Sequence, residues 1–80
     1  MKTRYEYIHF VDECRYDIKT RSFMCHNNNS GEWLGTVKWY GPWRQYCYFP
    51  CHADRPVYST GCLADIQHFI GQLMDERRAA

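Results

Sequence analysis

Between Trp33 and Pro50 the chain carries all three of its tryptophans and four further aromatics, Tyr40, Tyr46, Tyr48 and Phe49. Such a run, rich in aromatic and β-branched residues, fits a pleated, half-buried surface better than a helix. Gly41-Pro42 interrupts it, so it reads as two strands joined by a turn. Pro50 ends the second strand because proline has no amide donor for a ladder. Gly35 lies inside the first of these strands, where a glycine marks a bulge or a close crossing by another element.

The segments around this hairpin extend the pattern. Tyr5-Glu6-Tyr7-Ile8-His9-Phe10-Val11 is rich in strand formers, and Asp12-Glu13 closes it. Tyr16 to His26 reads as a second strand, with a shift in the buried parity at Phe23 and Cys25 that suggests a bulge, or twisting that changes which face is buried. Asn27-Asn28-Asn29-Ser30-Gly31 is the clearest turn, because Asn and Gly tolerate left-handed backbone and short polar side chains bond their own backbone. Val57-Tyr58 reads as a short edge strand. Leu63, Ile66, Phe69, Ile70 and Leu73 then form one stripe at helical spacing, flanked by Cys62 and Met74. Ser59, Thr60 or Gly61 supplies the N-cap, Asp65 is placed in the first turn, and Arg77-Arg78 suit the negative pole. The expected fold is α+β: a single domain over 1–80, a three- to four-stranded antiparallel meander, and one C-terminal helix over about 61–77 packed on one face.

Eighty residues allow one domain that buries about 60–65% of its unfolded surface. The 18% aromatic content supplies large buried areas from few side chains. Ten basic and nine acidic residues leave a net charge of +1, so no overall field draws the chain to duplex DNA or anionic lipid. There is no apolar stretch of membrane-spanning length and no signal-peptide pattern at Met1–Glu6, which predicts a cytoplasmic protein. Five cysteines, an odd number, suit reduced thiols or a metal site better than a disulfide framework.

Two constellations are candidate sites. The first is a ring-laden sheet face. One helix covers one face of a four-stranded sheet, yet both faces carry aromatics. Lys38, Tyr40, Arg44, Tyr46 and Tyr48 are the candidate partner-binding residues, of types enriched in binding hot spots. The bland alternatives are that these rings are core, or that the face mediates a homodimer. The second constellation is Cys25-His26 with Cys51-His52, four residues of the kind a structural zinc takes. Adjacent strand residues point to opposite faces, so surface histidines beside buried thiols is the plainer reading. Cys47 and Cys62 read as core, Cys14 has no evident partner, and His9 and His68 look ordinary. A Cys-His catalytic pair would need an orienting third group and an oxyanion donor. Neither is recognisable, and an enzyme is not expected.

Leu34-Gly35-Thr36-Val37-Lys38-Trp39-Tyr40, Trp43-Arg44-Gln45-Tyr46-Cys47-Tyr48-Phe49-Pro50 and Cys62-Leu63-Ala64-Asp65-Ile66 with Phe69-Ile70 resemble a group of short uncharacterised proteins of bacteriophages and bacterial mobile elements. The resemblance covers Trp33 to Leu73, and the Trp-Arg-Gln-Tyr-Cys run is its most specific part. The chain departs from the group at Cys51-His52 and Cys25-His26. The group carries no catalytic residues to transfer. Small phage proteins of this size often bind and block a host defence complex, as anti-CRISPR proteins do. The resemblance therefore implies a non-enzymatic inhibitor acting in a bacterial cytoplasm, with a CRISPR effector as one target class. The alternative is a small nucleic-acid-binding module stabilised by one structural zinc.

Overall fold

The computed structural model describes residues 1–14, 19–51 and 57–79. Four antiparallel strands, β1 (Ile8–Asp12), β2 (Ser22–Asn27), β3 (Trp33–Tyr40) and β4 (Gln45–Pro50), form one sheet in the order β1-β2-β3-β4. The C-terminal helix α1 (Thr60–Ala79) packs across one face. The protein is thus an α+β meander with one covering helix.

The turns follow from local chemistry. Asn27 Oδ1 accepts from the amides of Asn29 and Ser30, and the Gly31 amide donates to the Asn27 carbonyl with Gly31 at φ +75°. Asn28 does a longer-range job. Its Nδ2 donates to the carbonyls of Tyr5 and Glu6, and its amide donates to the Tyr7 carbonyl. The chain bends at residues 6–7 instead of running straight, so β1 begins at Ile8 rather than Tyr5. Tyr5 is thereby sent to the helix side, where its ring meets Phe10 and His68 edge-on and Lys2 and Gln72 exchange two hydrogen bonds.

Ser59 is the N-cap of α1: its Oγ accepts from the Cys62 amide at 3.1 Å. Asp65 consequently lies beyond the first turn, which holds no acidic residue. Ile66, Phe69 and Leu73 are buried, with Cys62, Ile70 and Met74 packed beside them, but Leu63 is 55% exposed. Cys62 stands four residues before Ile66, on the line facing the sheet, while Leu63 falls roughly a quarter turn away. Val57 and Tyr58 form no strand. Instead the Tyr58 hydroxyl donates to the Leu34 carbonyl at 2.9 Å and bonds the Tyr48 hydroxyl.

The core lies between helix and sheet. The Phe69 ring stacks on Phe10, with centroids 3.9 Å apart, and meets Phe23 edge-on at 4.9 Å. Ile8, Cys25, Val37 and Leu34 surround them. The Arg77 guanidinium lies 3.9 Å above the Trp39 ring, and Arg21 ties Asp12 to Glu76 at the rim.

Gly35 is required by a close crossing. A Cβ built there would lie 2.5 Å from the Tyr48 hydroxyl oxygen and 2.7 Å from the Phe49 carbonyl, and the latter is backbone that cannot step aside. Gly35→Ala is expected to cost about 1–3 kcal/mol through forced displacement of β4. At Gly41 a Cβ meets nothing within 4 Å. Gly41→Ala should therefore leave the urea midpoint nearly unchanged, and equal midpoints for the two variants would refute the crossing argument.

Candidate functional site: the sheet face opposite the helix

Opposed residues of an antiparallel pair share a face. The face away from α1 therefore reads directly from the register. One row is His9, His26 and Trp33; the next is Val11, Met24, Thr36 and Phe49; Lys38 pairs with Cys47 and Tyr40 with Gln45 beyond them. Among the described residues no helix or strand packs over these rows, because α1 and residues 2–5 both lie on the other side.

The rings here are arranged rather than scattered. Trp43, 66% exposed, meets Tyr40 edge-on at 5.0 Å, and Tyr40 in turn meets Phe49 at 5.9 Å. The Lys38 ammonium sits 4.6 Å above the Phe49 ring. At the opposite corner Trp33 is 45% exposed, with its indole N–H satisfied by the Gly35 carbonyl at 2.9 Å. Both tryptophans present large apolar area to solvent, the kind of surface that partners bury.

The five residues expected on this face do not all reach it. Lys38 and Tyr40 do. Arg44 sits at the hairpin end in left-handed backbone, φ 53°, donating its amide to the Gly41 carbonyl. Tyr46 and Tyr48 point the other way, into the helix-side core, and Tyr46 is only 6% exposed. The cause is loop length. Gly41–Arg44 is a four-residue loop, so even positions of β3 oppose odd positions of β4. Grouping Lys38 with Tyr46 would need a loop of odd length. Strict alternation along β3 would put Trp33 on the helix side with Gly35 and Val37, but a bulge moves it to the open face: the register jumps between Cys25 and His26 so that Leu34 becomes the extra residue. Trp33, Trp43 and Phe49 are thus members of the face that parity alone did not assign.

The candidate zinc ligands are not brought together. Cys25 is fully buried against the helix, beside the Tyr48 hydroxyl, and burial pushes its thiol up to about 12. His26, its neighbour, is on the opposite face, paired with His9 and Trp33. A sheet lies between them, so the two cannot share one ion. Cys51 is half-buried just past β4, held by its amide on the Leu34 carbonyl, and His52 lies outside the described residues. Among the described residues no group of three or more His, Cys, Asp or Glu side chains is placed to hold a metal. Nor, among them, is any helix long and apolar enough to cross a membrane.

No protein-family profile matches the chain, and no solved structure matches it. A phage protein does: the uncharacterised 9.3 kDa protein of Acholeplasma phage L2 is 34% identical over 73 residues, which span 91% of this chain and 91% of that protein. The matched span takes in nearly the full length of both chains. The chain belongs to the family of small phage proteins that includes the 9.3 kDa protein of Acholeplasma phage L2.

Proposed function

We propose that this chain is a non-enzymatic interaction protein that docks on a host protein complex through the open sheet face and blocks it sterically. A host defence complex, such as an RNA-guided nuclease, is the class of target that its size and phage kinship suit. The observation that carries this reading is the pair of exposed tryptophans, Trp33 and Trp43, flanking Tyr40, Phe49 and Lys38 on a face that no described element covers. Tryptophan and tyrosine dominate binding hot spots because they bury large area with few rotors.

Charge argues against nucleic acid as the partner. Single-strand binding combines stacking rings with a basic groove. Lys38 is the only Lys or Arg within the four strands, and the whole chain carries +1.

The test is capture of host protein from bacterial lysates by the wild type and by a Trp33→Ser/Trp43→Ser double variant. Each hot-spot tryptophan contributes about 2 kcal/mol or more, roughly 30-fold in Kd. Retention of the partner complex should therefore fall at least that far, with the melting temperature held. Equal retention by the double variant would defeat the proposal. So would retained nucleic acid whose release follows a steep logarithmic dependence on salt.

A further inference from the structure

His9 and His26 are directly opposed on neighbouring strands, and their rings stack with centroids 5.6 Å apart and 19° between planes. Both are partly exposed on the open face. The hydrogen bonds behind them fix which nitrogen carries the proton. His26 Nδ1 faces the Gly31 carbonyl at 3.1 Å, and a carbonyl only accepts, so this Nδ1 donates. His9 Nδ1 faces Asn28 Oδ1 at 2.6 Å. The Asn28 amide cannot be turned round, because its Nδ2 donates to the Tyr5 and Glu6 carbonyls and its Oδ1 also accepts from Arg4. Hence His9 Nδ1 donates too. In each neutral ring the lone pair is left on Nε2, and among the described residues neither Nε2 has a hydrogen-bond partner.

We propose that His9 and His26 form a two-imidazole site for a divalent transition-metal cation of the zinc, copper or nickel type. A histidine that ligates through Nε2 while its Nδ1–H is held by a carbonyl oxygen is the arrangement metal sites use to fix tautomer and ring direction. Here both rings have it, one on β1 and one on β2, with both acceptor oxygens in the 27–31 turn. Imidazole selects these cations over magnesium or calcium, which take oxygen ligands. Metal–nitrogen bonds of about 2.0–2.1 Å are made in the plane of each ring, so the two rings, now stacked with 19° between planes, must tilt until their Nε2 lone pairs converge on one ion, a side-chain rotation that the open surface allows. Two ligands leave coordination positions open to water or to a ligand from another molecule. The site stands independently of the docking proposal, although it occupies a corner of the same face beside Trp33.

The experiment titrates the reduced, full-length protein with Zn²⁺ and Ni²⁺, read by calorimetry and by the imidazole ¹⁵N resonances. One ion should bind per chain, with the Nε2 resonances of both His9 and His26 shifting together. His9→Gln and His26→Gln keep a donor for Asn28 and Gly31 while removing the imidazole. Each should weaken binding by at least tenfold, and the loss in the double variant should be less than the sum of the two single losses, because the chelate is already gone with the first ligand. Melting curves without metal confirm that the variants fold; should one fail to fold, the paired ¹⁵N shifts in the wild type decide alone. A shift at only one histidine, a thiolate charge-transfer band showing a cysteine-held ion, equal binding of Mg²⁺, or additive losses in the variants would each overturn the assignment.

Discussion

Phe69→Ala is expected to cost about 3–5 kcal/mol, comparable to the whole stability of a domain this small. The variant should be largely unfolded at 37 °C, with lost near-ultraviolet dichroism and amide exchange fast throughout the sheet. The reason is position. Phe69 is fully buried at mid-helix, stacked on Phe10 of β1 and edge-on to Phe23 of β2. Through this ring α1 meets β1 and β2, the half of the sheet away from its contacts with β4. Truncation removes the transfer free energy of the ring and leaves a void that two other rings cannot fill without leaving their rotamers. Leu63→Ala offers the contrast on the same helix: a 55% exposed leucine should cost less than about 1 kcal/mol. If both variants melted together, the inward line of α1 would have to be redrawn toward Leu63.

That contrast also marks where the sequence could be read and where it could not. The helix was legible because Ile66, Phe69, Ile70 and Leu73 repeat at helical spacing, and its start because serine caps well. The 27–31 turn was legible because Asn27 bonds the two amides that follow it. Which residues share a sheet face was not, since face assignment propagates through every loop and bulge. One extra residue at Leu34 reversed Trp33, and the length of the 41–44 loop decided that Cys47 and Phe49, not Tyr46 and Tyr48, lie beside Lys38. The role of His9 is hidden for the same reason. Its pairing with His26 depends on the β1–β2 register, and the intervening segment carries no turn signature that would set it. Asn28 looked like one more turn residue, yet its side chain both bends the N-terminal segment and fixes the His9 tautomer.

Alkaline pH above about 9 should destabilise this fold. The Cys25 thiol is driven from 9.0 to about 12, chiefly by burial, with the Tyr48 hydroxyl opposing part of the shift. Burial likewise raises the Tyr48 hydroxyl, helped by its bond to Tyr58. In both cases the fold holds the protonated, neutral form and the unfolded chain ionises first. Above about pH 9 the unfolded state therefore binds fewer protons than the native one, and unfolding becomes easier as pH rises. Stability from Cys25 is intact below its unfolded value and is lost progressively up to its folded one. By pH 12 that loss is on the order of a few kcal/mol. Urea midpoints should be flat from pH 6 to 8.5 and then fall, with Cys25 acting from pH 9 and the tyrosines adding to the slope above pH 10. Cys25→Ala separates them. It should be less stable than the wild type at pH 7, because it leaves a small void under Phe10 and Tyr48, but the two curves should converge between pH 9 and 10. An unchanged slope in Cys25→Ala over that window would mean that the thiol meets water in the native state, and the packing of α1 over β2 would then be looser than its contacts with Cys25 and Phe23 require.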